Sequence, residues 1–176
     1  MDLQPAAELS VKRAAPRSKQ ALKDELVAKV AADLDTLERA QKAAAEGATH
    51  EEAKPENDKD TRALEATYLA RGLAERVVAL EHAAAALASL KLRSFGSDAP
   101  VALSAIVTLA PEQGPAAHYF VVPAAGGLKL TVGAQLVTTI TLDAPLGRAL
   151  LGAYQGDEIT VQSPQGSRVL EIERVL

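Results

Sequence analysis

Cysteine and tryptophan are absent from this chain of 176 residues, and only three Tyr and two Phe are present. Without Cys there are no disulfide staples and no thiolate-ligated zinc. The shortage of rings limits what a core can bury, because large aromatics normally supply much of it. The nominal hydrophobic content of 48% is inflated by 36 Ala, each of which buries little surface. Histidine is also scarce: His50, His82 and His118 lie far apart, which argues against a histidine metal cluster. Basic residues are in the minority, with Lys+Arg 19 against Asp+Glu 23 and a net charge of −4. A phosphate-tracking role is therefore disfavoured, since it rests on clustered Lys and Arg. No apolar run approaches the roughly 18 residues needed to cross a bilayer, and MDLQPAAELSVKRAAP at the start lacks the apolar stretch of a signal peptide. The expectation is a soluble, cytoplasmic protein of one ordinary domain or two small ones, with no membrane association.

What is present falls into blocks. Residues 1–17, with Lys12 and Arg13 beside prolines, read as a disordered arm. From Ser18 to Gly47 good helix formers dominate, and Leu22, Leu26, Val30, Leu34, Leu37, Gln41 and Ala44 recur every three or four residues. This predicts an amphipathic helix ~45 Å long, with Ser18 as N-cap and Gly47 as its stop. ATHEEAKPENDKD, residues 48–60, loses the periodicity and reads as a turn of net charge −3, with His50 neutral. A second helix is expected from Glu56 or Asp58 to Leu92, where Ala63, Ala66, Ala70, Leu73, Val77, Leu80, Ala84 and Leu87 form a heptad seam. Leu64, Tyr68, Leu69 and Leu90 are expected to widen its stripe. Two long helices joined by a short turn favour an antiparallel coiled-coil hairpin over residues 18–93 with an acidic tip at 48–60.

After RSFGSDAP, residues 93–100, the period changes. VALSAIVTLA, AHYFVV, LKLTV, LVTTITL, EITVQ and RVLEIERV are short, rich in β-branched residues and separated by turn signals, so they read as strands. APLGRALLG, residues 144–152, has Pro near its start and Gly at its end, which suits a short helix. The fold class expected is α+β: the hairpin, then a small antiparallel β-domain with one short helix over residues 94–176.

Catalytic signatures are scarce. No nucleophile elbow, phosphate loop or dinucleotide fingerprint is present. The acidic tip has two readings. A polar hairpin turn is solvated in any case, and acids are favoured beside a helix N-terminus. Carboxylates on a long rod can also enter a partner's channel and help hold a divalent metal, which prefers oxygen ligands.

Two segments carry a family resemblance: KPENDKDTRALEATYLARGLAERV, and TLDAPLGRALLGAYQGDEITVQSPQGSRVLEIERV. In the second, Pro145, Leu146, Arg148, Ala149, Leu150, Leu151 and Gly152 are followed in order by Gly156-Asp157 and Ser163-Pro164-Gln165-Gly166. The chain thereby resembles the Gre family of bacterial transcription elongation factors. The resemblance implies an FKBP-like C-terminal domain that docks on RNA polymerase at the mouth of its secondary channel. It implies Asp143, Pro145, Leu146, Arg148, Leu150 and Leu151 as docking residues, and a hairpin tip directed at the polymerase Mg²⁺. The tip motif is Pro55, Glu56 and Asn57, with Glu51, Glu52, Glu56 and Asp58 as candidate metal-assisting acids. Where the family pattern has its first acid, three residues before Glu56, this chain has Ala53, and Ala144 replaces the usual Ser before Pro145. The function expected is that of an elongation modulator without enzymatic activity of its own, with no intrinsic cofactor and no stably bound metal. At most it shares the polymerase Mg²⁺, acts as a monomer and meets nucleic acid only through the elongation complex.

Three alternatives accompany that reading. One is a true transcript-cleavage factor using the tip acids. Another is a coiled-coil adaptor unrelated to polymerase. The third is a peptidyl-prolyl isomerase, for which Phe95, Tyr119, Phe120 and Tyr154 would have to line the proline pocket.

Overall fold

The computed structural model describes residues 7–49, 61–96, 98–112, 114–163 and 166–176. In chain order the elements are α1 (Ala7–Thr49), α2 (Thr61–Ser89), β1 (Ile106–Pro111), β2 (Ala117–Val122), β3 (Lys129–Val132), β4 (Gln135–Thr141), α3 (Pro145–Leu150), β5 (Glu158–Ser163) and β6 (Gly166–Val175). The α+β class and the helical hairpin preceding the sheet are as expected. α1 begins before Ser18, so backbone assigned to an arm is helical from Ala7, and Ser18 lies inside the helix instead of capping it. The Ala-rich stretch propagates helix across Pro16 at the loss of one backbone donor.

By contact the chain divides into Val27–Ala85, and Met1–Leu26 with Ala86–Leu176. Within Val27–Ala85 the seam positions turn inward: Val30 and Val77 are buried, and Leu34, Leu37, Gln41, Ala44, Ala66, Ala70, Leu73, Leu80 and Ala84 are half-buried. Leu64, Tyr68 and Leu69 do not widen the stripe, being 54%, 64% and 58% exposed. At about 100° per residue Tyr68 points roughly opposite Ala66 and Ala70, and the small seam residues leave no broad face for it to join.

The second unit holds a six-stranded sheet in the order β3-β4-β2-β1-β6-β5. It is mixed, which corrects the all-antiparallel expectation. β2 and β4 run parallel, with Phe120 opposite Thr139, while every other neighbouring pair is antiparallel. The reason is order of insertion: β3 takes the edge, and β4 returns beside it into the position next to β2. Gly133, at φ 59, opens the two-residue β3–β4 turn, where a positive φ suits the strand twist.

One face of this sheet builds a core of Val107, Leu109, Val121, Ile159, Ile172 and Val175, closed by Val101, Ala105 and Leu150. On the other face Ile106, Phe120, Val122, Leu130 and Val137 are buried as well. β2 is therefore covered on both sides, and its run Phe120-Val121-Val122 is continuously apolar. α1 reaches this sheet at β3, where the Thr131 N–H donates to Glu25 Oε2 at 3.0 Å.

Thr139 is a buried hydroxyl with its partners supplied by the Pro123–Leu128 loop. Its Oγ1 donates to Ala125 O at 2.6 Å and accepts from the Leu128 N–H at 2.9 Å. Thr139→Val keeps the shape but orphans both groups, and is expected to cost about 1–3 kcal/mol in urea unfolding. An unchanged midpoint would refute this role.

The end of α2 is completed by α1. α2 has no basic residue in its last turn. Instead Lys23 Nζ donates to Ala88 O (3.0 Å) and Leu90 O (2.7 Å), and Lys19 Nζ donates to Arg93 O at 2.7 Å. Lys19 is 3% exposed and its Nζ lies 4.5 Å from the Phe95 ring centroid. Burial, helped by the like charge of Arg93, pushes its pKa down to about 8. A lysine lowered by folding binds fewer protons folded than unfolded. It therefore makes stability rise with pH between about 8 and its ordinary 10.5. Urea midpoints measured from pH 8 to 10 are expected to climb more steeply in the native chain than in Lys19→Met. Equal slopes would rule out the effect.

Candidate functional site

The predicted docking motif forms one continuous piece of structure. α3 starts at Pro145, whose missing N–H is not needed in the first turn, and Ala144 provides no side-chain cap. Positions 145, 148 and 151 are exposed, while Leu146 is half-buried and Gly147 and Leu150 are buried. One side of the helix thus faces solvent and the other the sheet. Leu150, expected among the docking residues, is wholly inside the core.

Gly147, passed over in the sequence reading, explains how α3 gets so close. A Cβ at this position would stand 1.9 Å from Thr141 O and 3.0 Å from Leu142 Cα. The helix lies directly on the backbone leaving β4, and only glycine permits that approach. Its C-terminal side is fastened by the Gly152 N–H to Val101 O (3.0 Å) and the Val101 N–H to Ala153 O (2.8 Å), with Gly152 at φ 79.

The Gly156-Asp157 pair also acquires a physical role. The Asp157 N–H bonds Tyr154 O at 3.1 Å, its carboxylate accepts from the Tyr154 N–H at 2.8 Å, and Gly156 at φ 91 supplies the turn's positive dihedral. The Gly156 N–H to Ile172 O (2.8 Å) and Ile172 N–H to Asp157 O (2.9 Å) bonds tie this turn to β6. Tyr154, which the sequence reading left out of the docking set, is 46% exposed beside Leu151 at 54%.

Asp143 and Arg148 are exposed, and an Arg148 guanidinium N–H donates to the Asp143 carbonyl. The Asp143 carboxyl is held below its ordinary range, first by a hydrogen bond from the Thr141 hydroxyl, then by its own backbone N–H, with the Arg148 charge adding to both. The outer surface of this region is therefore a mixed one: Asp143, Pro145, Arg148, Leu151 and Tyr154. The tip residues Glu51, Glu52, Ala53, Pro55, Glu56, Asn57 and Asp58 lie outside the described residues. Among the described residues no group of His, Asp and Glu could hold a metal ion, and no helix is long and apolar enough to cross a membrane.

Residues 99–176 match the family described as transcription elongation factor, GreA/GreB, C-term. This span takes in the whole sheet and α3. The likeness to the GreA/GreB family is thus carried by the C-terminal domain. The transcription elongation factor GreA of Vibrio cholerae serotype O1 is 42% identical over 36 residues, 20% of this chain. That match spans 23% of the Vibrio protein, less than a quarter of its length. Two solved structures are similar at a lower level. GreA factor homolog 1 of Thermus thermophilus is 18% identical, aligned over 85% of this chain and 94% of its own with a TM-score of 0.35. The GreA/GreB factor of Nitrosomonas europaea is 24% identical over 55% of this chain and 78% of its own, also with a TM-score of 0.35.

Within the C-terminal domain, Gly147 gives the sharpest structural test. Gly147→Ala forces α3 off the β4 exit, and a loss of about 1–3 kcal/mol is expected, the range of overpacked core sites. The same variant should broaden the NMR signals of Leu146, Leu150 and Val101. A stability within about 0.5 kcal/mol of the native chain would contradict the close approach.

Proposed function

We propose that this chain is a Gre-type modulator of transcription elongation that binds bacterial RNA polymerase at its secondary channel. The observation that carries the reading is the GreA/GreB domain over residues 99–176. The exposed outer side of α3 gives that domain a contact surface of apolar anchors with a charged rim. Leu151 and Tyr154 would fill an apolar site on the polymerase, and Arg148 and Asp143 would set register through ionic contacts. The hairpin would carry residues 48–60 into the channel toward the polymerase Mg²⁺, in the cytoplasm and as a monomer.

With Ala53 at the position of the first family acid, one carboxylate of the metal-assisting pair is missing, so the factor occupies and remodels the channel without stimulating cleavage. It performs no reaction of its own in this reading and requires no resident cofactor. The isomerase alternative is weakened by the aromatics themselves: Phe120 is fully buried and Phe95 is engaged by Lys19.

Two measurements on reconstituted elongation complexes test the proposal. Leu151→Asp should weaken binding of the full chain to core polymerase by roughly tenfold or more, as expected for an anchor residue. In backtracked complexes, added protein should alter elongation without raising the yield of shortened 3′-end RNA. Cleavage products that vanish with Glu56→Ala would replace the modulator by a cleavage factor. Failure of the native chain to bind polymerase at all would overturn both.

A further inference from the structure

At the base of the helices, entirely within the unit that contains the sheet, lies a cavity of about 250 Å³ lined by Lys19, Gln20, Leu92, Arg93, Ser94, Phe95 and Leu176. Its chemistry is lopsided. Lys19 Nζ and Arg93 Cζ both lie over the Phe95 ring, 4.5 Å and 5.3 Å from its centroid. Among the described residues neither cation has a carboxylate within ion-pair distance. Lys19 spends a hydrogen bond on Arg93 O, and an ammonium carries three donors. Arg93 contributes a planar fork of donors matched to carboxylate and phosphate oxygens. The two cations repel each other, and Lys19 is the buried one while Arg93 is exposed to solvent; a buried charge is normally paired. The polymerase-docking surface uses none of these residues.

We propose that this cavity is a binding site for a small organic oxyanion, its negative group held between Lys19 and Arg93 and its apolar body against Leu92 and Phe95. Gln20 and Ser94 add neutral polar groups at the rim. The volume amounts to roughly eight water molecules at about 30 Å³ each, which sets the ligand at the size of a phosphate ester or carboxylate with one ring or a short chain. An anion placed there removes the like-charge repulsion and restores the usual preference of Lys19 for its proton. The site would thus tie occupancy by an acidic small molecule to the segment that joins the helices to the GreA/GreB domain.

The full chain is titrated with inorganic phosphate, phenyl phosphate and benzoate at an ionic strength held constant with sodium chloride. The side-chain NMR signals of Arg93 Nε and Lys19 Cε are followed, with the thermal midpoint in parallel. Saturable shifts at both residues are expected, with phenyl phosphate binding more tightly than inorganic phosphate because its ring reaches the apolar wall. The Lys19 titration midpoint should move up on binding. Arg93→Gln, which keeps the backbone carbonyl that Lys19 uses, should weaken binding roughly tenfold. Arg39→Gln, an exposed cation paired with Asp35, should leave it unchanged. Binding by benzoate alone would support the site and identify a carboxylate as the ligand class, whereas binding by the phosphates alone would identify a phosphate ester. Shifts that fail to saturate, that chloride reproduces, or that persist undiminished in Arg93→Gln would overturn the proposal.

Discussion

An ammonium group buried without an acid is the constraint around which the junction is organised. Lys19 spends one donor on the Arg93 carbonyl and lies over the Phe95 ring, so its place depends on backbone leaving α2 at a set position. Lys23, one helical turn further on, fixes the carbonyls of Ala88 and Leu90 in the same way. The Arg93 N–H is in turn held by Ser104 Oγ at 2.8 Å, and the Ser104 N–H by Val121 O at 2.9 Å. A chain of polar contacts therefore runs from α1 through the linker into β2. Ser104 takes up the strain of this route with a φ of 71. A neutral residue at position 19 would lose the hydrogen bond and the ring contact together, leaving the Arg93 carbonyl without its partner.

The C-terminal domain applies a different device, close backbone approach, to hold its outer surface. Gly147 lets α3 rest on the exit from β4, and the Tyr154–Asp157 turn is pinned to β6. Between these two fixed points the chain turns Leu151 and Tyr154 outward. The exposed residues are thus held by backbone contacts and by the buried Leu150 between them, so partner contact would not require a folding step. The Asp143 carboxyl is held below its ordinary range by the Thr141 hydroxyl and its own backbone N–H.

Much of this was legible because it is periodic. The amphipathic face of α1, the heptad row of α2, the six strands and the short helix after Ala144 all follow from apolar spacing and turn residues, and all appear in the fold. The parallel β2–β4 pairing was not, because strand order is set by tertiary insertion and leaves no local mark. Val101 to Ala105 looked like strand but is not: Val101 bonds the segment after α3, and Ser104 adopts a left-handed conformation. Gly147 carries no signal in the sequence, since its reason lies in the carbonyl of Thr141 across space. Lys19 carried only one signal, a partner four residues on at Lys23. In a helix dense with Lys and Glu that spacing is indistinguishable from a solvated face. The tip is read from lost periodicity, charge and the Pro55-Glu56-Asn57 motif, and those residues lie outside the described ones.

The contact between Glu25 and the Thr131 N–H has a bearing on self-association. β3 is the last strand of the sheet, and such a strand offers backbone donors to any passing chain. Here one of those outward donors is taken by a side chain from a helix of the same molecule. A second copy adding a strand at that edge would have to displace the carboxylate of Glu25 before gaining its own ladder. The contact that joins β3 to α1 thereby also occupies one of the donors that edge pairing would use.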